Sequence, residues 1–177
     1  GSRLVANDQP QSLCNQPVSK PCVLRADAAS GIPSDLMTLF YSQNSEDVLL
    51  ARCFEGKTDG FYVDVGAEDP VEGSITKHFY ERGWKGINIE PVPFFFDRIS
   101  SDRPRDINLN CVASDRDDQT LNLCVSVGTG LSTLDLERQE ALKLNPERAV
   151  QLIEVQSQTL NSILSTHATQ HIDFLKI

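Results

Sequence analysis

Two short apolar runs, FYVDV at 61–65 and GINIE at 86–90, each end in turn chemistry and are separated by one helical pattern closed by Gly83. Runs this short and this continuously apolar fit strands buried on both faces, and a helix between two of them makes a βαβ unit with parallel strands. The pattern then repeats. The spacing predicts strands at 61–65, 86–90, 107–113, 120–126 and near 151–156, with helices at 74–82, near 93–100, near 134–144 and at 159–166, before the chain closes on IDFLKI. Ahead of the first strand, SEDVLLARCF predicts a helix capped by Asn44 or Ser45. Glu46 and Asp47 sit favourably at its positive end, and Val48, Leu49, Leu50, Cys53 and Phe54 form its apolar side. The expected fold class is α/β, a mostly parallel sheet with flanking helices.

Length and charge narrow the function. A chain of 177 residues is long enough for one well-cored domain, here expected over 36–177. Gly1-Ser2 reads as a cloning remnant, and residues 3–35, with Pro10, Pro17, Pro21 and Pro33 and no sustained period, as a flexible arm. A net charge of −9 with no basic stripe argues against nucleic acid as a partner. No run approaches the roughly 18 apolar residues of a membrane span. Five cysteines without a CxxC pair fit small core residues in a reducing, cytoplasmic setting; a Cys14–Cys22 disulfide would require export.

In an open parallel sheet, ligands bind beyond the carboxyl ends of the strands, so the turn VGAEDP after the first strand is the expected site. Glu90, the acid ending the second strand, lies 90 − 66 = 24 positions after Gly66, near the spacing of about 20 at which a carboxylate reaches ribose hydroxyls. A dinucleotide fits badly. Aligned on Gly66, G-x-G-x-x-G reads Gly66, Glu68, Val71, and a pyrophosphate would lie against Glu68 and Asp69. Like charges about 4 Å apart cost on the order of 4 kcal/mol at an effective dielectric near 20. S-adenosylmethionine has no phosphate and carries a sulfonium and an ammonium, so carboxylates there become an asset. The competing reading is that Glu68 and Asp69 only cap the following helix.

The blocks YSQNSED (41–47), FYVDVGAEDP (61–70), SITKHFYERGWKGINIEPVP (74–93), RPRDINLN (103–110), CVASD (111–115), GTGLST (128–133) and IDFLKI (172–177) together resemble FkbM-type methyltransferases over residues 41–177. The resemblance implies a Rossmann-like, class I methyltransferase sheet and S-adenosylmethionine-dependent O-methylation of a sugar, glycan or small-molecule hydroxyl. It implies Asp64, Gly66, Ala67, Glu68 and Asp69 around the methionine part, Glu90 and Pro91 at the ribose, and Ser114 and Asp115 beside the adenine. Gln43 and Asn44 are implied as amide contacts folded over the pocket, with an ordinary helix cap as the alternative. The family commonly has glycine or asparagine where Glu68 and Pro70 stand, and glycine at Ser45. It also continues past FLKI into an acidic segment beside the acceptor, so the chain is expected to be truncated, with an exposed last strand that invites homodimerisation.

No catalytic base is identifiable. His78 is expected to pack rather than catalyse, and His167, His171 and Asp173 make too irregular a set for a metal. RPRD reads as a surface turn with an Arg/Asp pair, GTGLST as a hinge or acceptor loop without the Gly-Lys-Ser/Thr ending that grips phosphate, and Phe94–Phe96 as helix packing. Two other function classes remain at this stage: a non-catalytic Rossmann-like binding or assembly module within a larger glycan-biosynthesis protein, and an NAD-dependent oxidoreductase.

Overall fold

The computed structural model describes residues 38–126, 131–145 and 149–177. The expected arm, the cysteines at 14 and 22 and the GTG turn lie outside these residues. Within them the chain is mixed α/β. Strands β1 (Phe61–Val65), β2 (Lys85–Ile89), β3 (Ile107–Leu109) and β8 (Phe174–Lys176) form an all-parallel sheet in the order β3-β2-β1-β8. β1 is aromatic and β-branched apart from one acid, and both its faces are covered. Phe61 and Val63 pack with Ile87, Ile89, Cys111 and Ile163, the last from α5 (Leu160–His167). Tyr62 faces the other way, into Phe79 and Trp84, with Leu50, Phe54 and Phe174 around them. Leu50 comes from α1 (Glu46–Cys53) and Phe79 from α2 (Lys77–Glu81), so helices lie on both faces, as a parallel sheet requires.

The close approach of aromatics dictates two glycines. A Cβ on Gly60 would collide with the Trp84 ring, and one on Gly86 with the Tyr62 ring.

A second sheet, β4-β7-β5-β6, stands beyond β3. Its spine is the antiparallel ladder of β5 (Thr120–Ser126) with the first part of β7 (Val150–Thr159). The end of β7 pairs in parallel with β4 (Val112–Ser114), and β6 (Ser132–Thr133) flanks β5. Helix α4 (Leu136–Lys143) is capped by Asp135, and α5 by Thr159, each side-chain oxygen accepting from the N–H three residues on.

Several sequence expectations shift. The single strand at 107–113 is two strands, because the chain bends at Asn110–Cys111 and changes sheet. The helix expected from Ser74 begins only at Lys77: Gly73 is still held in a bridge with Ser42, and the Ser74 hydroxyl accepts from the Lys77 N–H at the helix start. In α1 neither Asn44 nor Ser45 caps: Asn44 bonds to Glu46, and Ser45 is left-handed with no cap bond. Its apolar side is also narrower than expected. Leu49 is 60% exposed and Cys53 is exposed, while the buried residue is Asp47. Among the described residues, no helix is long and apolar enough to cross a membrane.

Candidate functional site

The carboxyl ends of β1 and β2 meet in one hydrogen-bonded turn. Gly66 adopts a left-handed φ of 68°, which glycine alone enters without a Cβ penalty, and Glu68 follows at φ 55°. This geometry folds three successive N–H groups inward. Those of Gly66 and Ala67 donate to the Ile89 carbonyl at 2.9 and 3.2 Å, and that of Glu68 donates to Glu90 Oε2 at 2.9 Å. Glu90 Oε1 accepts from the Val92 N–H at 2.8 Å, just ahead of α3 (Pro93–Asp102). Asn110, at the bend after β3, holds the Glu90 and Pro91 carbonyls. Glu90 is therefore buried and gripped from both sides, and each oxygen keeps a lone pair for a further donor.

Burial sets the electrostatics. It raises the Glu90 carboxyl above its ordinary pKa, although the Val92 and Glu68 N–H groups oppose the shift. Glu68 is raised as well, first by burial and then by Asp69 and Glu72, with Lys176 pulling it back. The other two acids of the turn have cations against them. Asp69 binds the Val71 and Glu72 N–H groups through Oδ1 and Arg98 through Oδ2. Asp64 accepts the Thr76 hydroxyl through Oδ2 at 2.8 Å, and its Oδ1 lies 3.0 Å from Lys176 Nζ. That contact is an ion pair and not a hydrogen bond, and the buried Oδ1 receives no hydrogen-bond donor among the described residues. Glu68 and Glu90 have no ion pair among the described residues.

The structure thus brings Asp64, Gly66, Ala67, Glu68, Asp69, Glu90 and Pro91 together. Gln43 reaches the same region, because Ser42 bridges Gly73 and the Gln43 side chain lies over that glycine, where a Cβ would come within 3.2 Å of Nε2. Asn44 instead turns to Glu46. The YSQNSED loop is tied down by Asp47, whose carboxylate takes the Tyr41 and Ser42 N–H groups and the Ser42 hydroxyl. Ser114 ends β4, in the second sheet, and Asp115 follows it; the Ser114 hydroxyl donates to Asp115, whose carboxylate lies 3.8 Å from Arg116.

The RPRD segment turns at Pro104–Arg105 as expected, but the expected Arg/Asp surface pair is overturned. Arg103 is wholly buried and donates to Thr76 Oγ1, Ser74 Oγ and the Pro70 carbonyl, each at 2.6 Å. Arg105 lies 3.9 Å from the centre of the Tyr80 ring, and Asp106 accepts from Tyr62, Gly86 and Asn88. A crossover loop full of inward carbonyls and hydroxyls needs a multidentate donor, and a surface pair would leave them unsatisfied. Lys176 was also missed, yet a signal existed: Asp64 and Lys176 are the lone charges of the apolar stretches FYVDV and FLKI, and they stand directly opposite in adjacent strands.

His78 is a packing residue, buried, stacked on Phe40 at 4.5 Å and bonded to the Leu39 carbonyl. Asp173 is engaged by Lys57 and the Phe61 N–H, and among the described residues no group of three His, Cys, Asp or Glu is arranged to hold a metal. Phe94 is 51% exposed and packs edge-on against Phe95. A cavity of about 750 Å³ opens at the other end of the sheet, between α1 and α2, lined by Phe40, Phe54, Trp84 and the cations Arg52, Lys57 and Arg82. It is remote from the glycine turn.

No curated protein and no solved structure matches the chain at a significant level. The family model described as the methyltransferase FkbM domain matches residues 64–177, a span that starts at the buried Asp64 and takes in the turn, Glu90, Arg103 and Lys176. The chain belongs to the FkbM methyltransferase domain family.

Proposed function

We propose that this domain is an S-adenosylmethionine-dependent O-methyltransferase, built on a Rossmann-like sheet and acting on a hydroxyl of a sugar, glycan or small molecule. The observation that carries the proposal is the accounting of N–H groups at the turn. A dinucleotide fold offers these groups to a pyrophosphate. Here those of Gly66, Ala67 and Glu68 all end on protein acceptors, one of them a carboxylate, so the turn offers acceptors and negative charge where a pyrophosphate would need donors. The residues fit a cationic methyl donor. Glu90 would take the ribose hydroxyls, and the left-handed turn at Gly66 would let the methionine part approach the backbone. Glu68, which like Glu90 has no ion pair among the described residues, would favour the positive charge. Gln43, Asn44, Ser114 and Asp115 belong to this proposal as outer contacts, whereas the charge of Asp69 is already offset by Arg98. When bound, the cofactor supplies an electrophilic methyl group; this chain's part is to bind and orient it.

Titration calorimetry with S-adenosylhomocysteine and with NADH tests the reading. Binding of the former alone is expected, and Glu90→Ala should weaken it by roughly 1.5–3 kcal/mol, the worth of charge-assisted hydrogen bonds. Binding of NADH alone would overturn the argument from the turn, and an unchanged constant in Glu90→Ala would remove that residue from the site.

A further inference from the structure

Lys176 makes an unusual set of contacts for a lysine in a parallel strand. Its Nζ donates to the Gly66 carbonyl at 2.6 Å and to the Val65 carbonyl at 3.2 Å, and stands 3.0 Å from Asp64 Oδ1. These are the three consecutive residues through which the chain leaves β1 and enters its left-handed turn. Carbonyls at the carboxyl end of a strand ordinarily meet water or a helix N-terminus; here one ammonium holds two of them. The carboxylate beside that ammonium is anchored on its other oxygen by Thr76, which Arg103 holds in turn. A connected path therefore runs from Arg103 through Thr76 and Asp64 to Lys176, crossing beneath the turn from the crossover loop to β8.

We propose that Lys176 is a positioning residue for the cofactor turn: by clamping the Val65 and Gly66 carbonyls against Asp64 it fixes the backbone from which residues 66–68 direct their N–H groups onto Ile89 and Glu90. The clamp works through geometry and through charge. A positive group bonded to the Gly66 carbonyl orients the peptide whose N–H belongs to Ala67, so the direction of that N–H follows from the lysine. With two carbonyls accepting from it and a carboxylate oxygen 3.0 Å away, the Lys176 head group is placed as a fixed support for the backbone. Its role in catalysis rests on the proposed methyl-donor site, but its effect on the turn does not.

Two measurements on the full chain separate these. Amide hydrogen exchange followed by NMR should show protection at Gly66, Ala67 and Glu68 falling about tenfold or more in Lys176→Met, while Val63 and Ile87 in the sheet interior keep theirs. Lys176→Arg, which keeps the charge, should restore part of the loss. Calorimetry should show S-adenosylhomocysteine binding to Lys176→Met weakened by about tenfold. Unchanged exchange at residues 66–68, a uniform loss across β1 and β2, or an arginine variant no better than methionine would each overturn the clamp. If the unaltered chain fails to bind S-adenosylhomocysteine while the exchange pattern appears as described, the clamp stands and the cofactor assignment falls.

Discussion

The two ends of the parallel sheet are held by different physics. At the amino end, Phe54, Phe79, Trp84 and Phe174 interlock with ring centroids 4.9 to 6.3 Å apart, and a cavity opens beside them. At the carboxyl end, apolar contacts give way to Glu90, Asp64, Arg103 and Lys176, each hydrogen-bonded to backbone or hydroxyl. Burial of this aromatic surface is chiefly a non-directional effect and supplies stability in proportion to area. A buried polar network contributes less net stability but specifies positions, because every partner lost leaves an orphan. The contrast separates what holds this domain together from what shapes its site.

Trp84→Ala should be the most disruptive change. Removing a fully buried indole costs about 3–5 kcal/mol, read from urea unfolding, while the fraction still folded keeps its affinity for S-adenosylhomocysteine. Arg103→Met should cost less, roughly 1.5–3 kcal/mol from hydrogen bonds to a charged donor, yet weaken that affinity as well. If Trp84→Ala lowered intrinsic affinity and Arg103→Met spared it, the division of labour would be reversed.

The smallest and sharpest difference is in pH dependence. Glu68 and Glu90 have folded pKa values above the ordinary 4.5, chiefly through burial. Their burial is therefore least costly below pH 4.5, and stability is lost as pH rises through the folded values. Asp173, at the amino end, goes the other way. Burial raises it, but its bonds to Lys57 and the Phe61 N–H outweigh that and hold it below 3.8. Its contribution is present above 3.8 and lost as pH falls through the folded value. Unfolding free energies measured across this range should lose their high-pH decline in the Glu68→Gln/Glu90→Gln double variant and their low-pH decline in Asp173→Asn. The same sign of change in both would dissolve the distinction.

Much of the amino-end architecture is legible in the sequence. FYVDV and GINIE announce buried strands because both alternating positions are apolar, and their glycine neighbours mark where aromatics close in. The turn is legible too, since Gly66 and the later acid are set by local chain geometry. The supports of the turn are not. RPRD carries the composition of an exposed corner, and only the fold reveals that Pro70, Ser74 and Thr76 point at Arg103 from more than 25 positions away. The break between β3 and β4 is likewise invisible, because the apolar pattern runs on through Cys111 while the partner strands change.

That break has a mechanical corollary. One extended length of chain belongs first to the parallel sheet and then to its neighbour, and the joint between them is the residue whose amide grips the carbonyls of Glu90 and Pro91. The antiparallel β5–β7 ladder is thus joined to the parallel sheet through β4 and the bend at Asn110. The main chain on which Glu90 sits is therefore held by the same residue at which the strand leaves one sheet for the other.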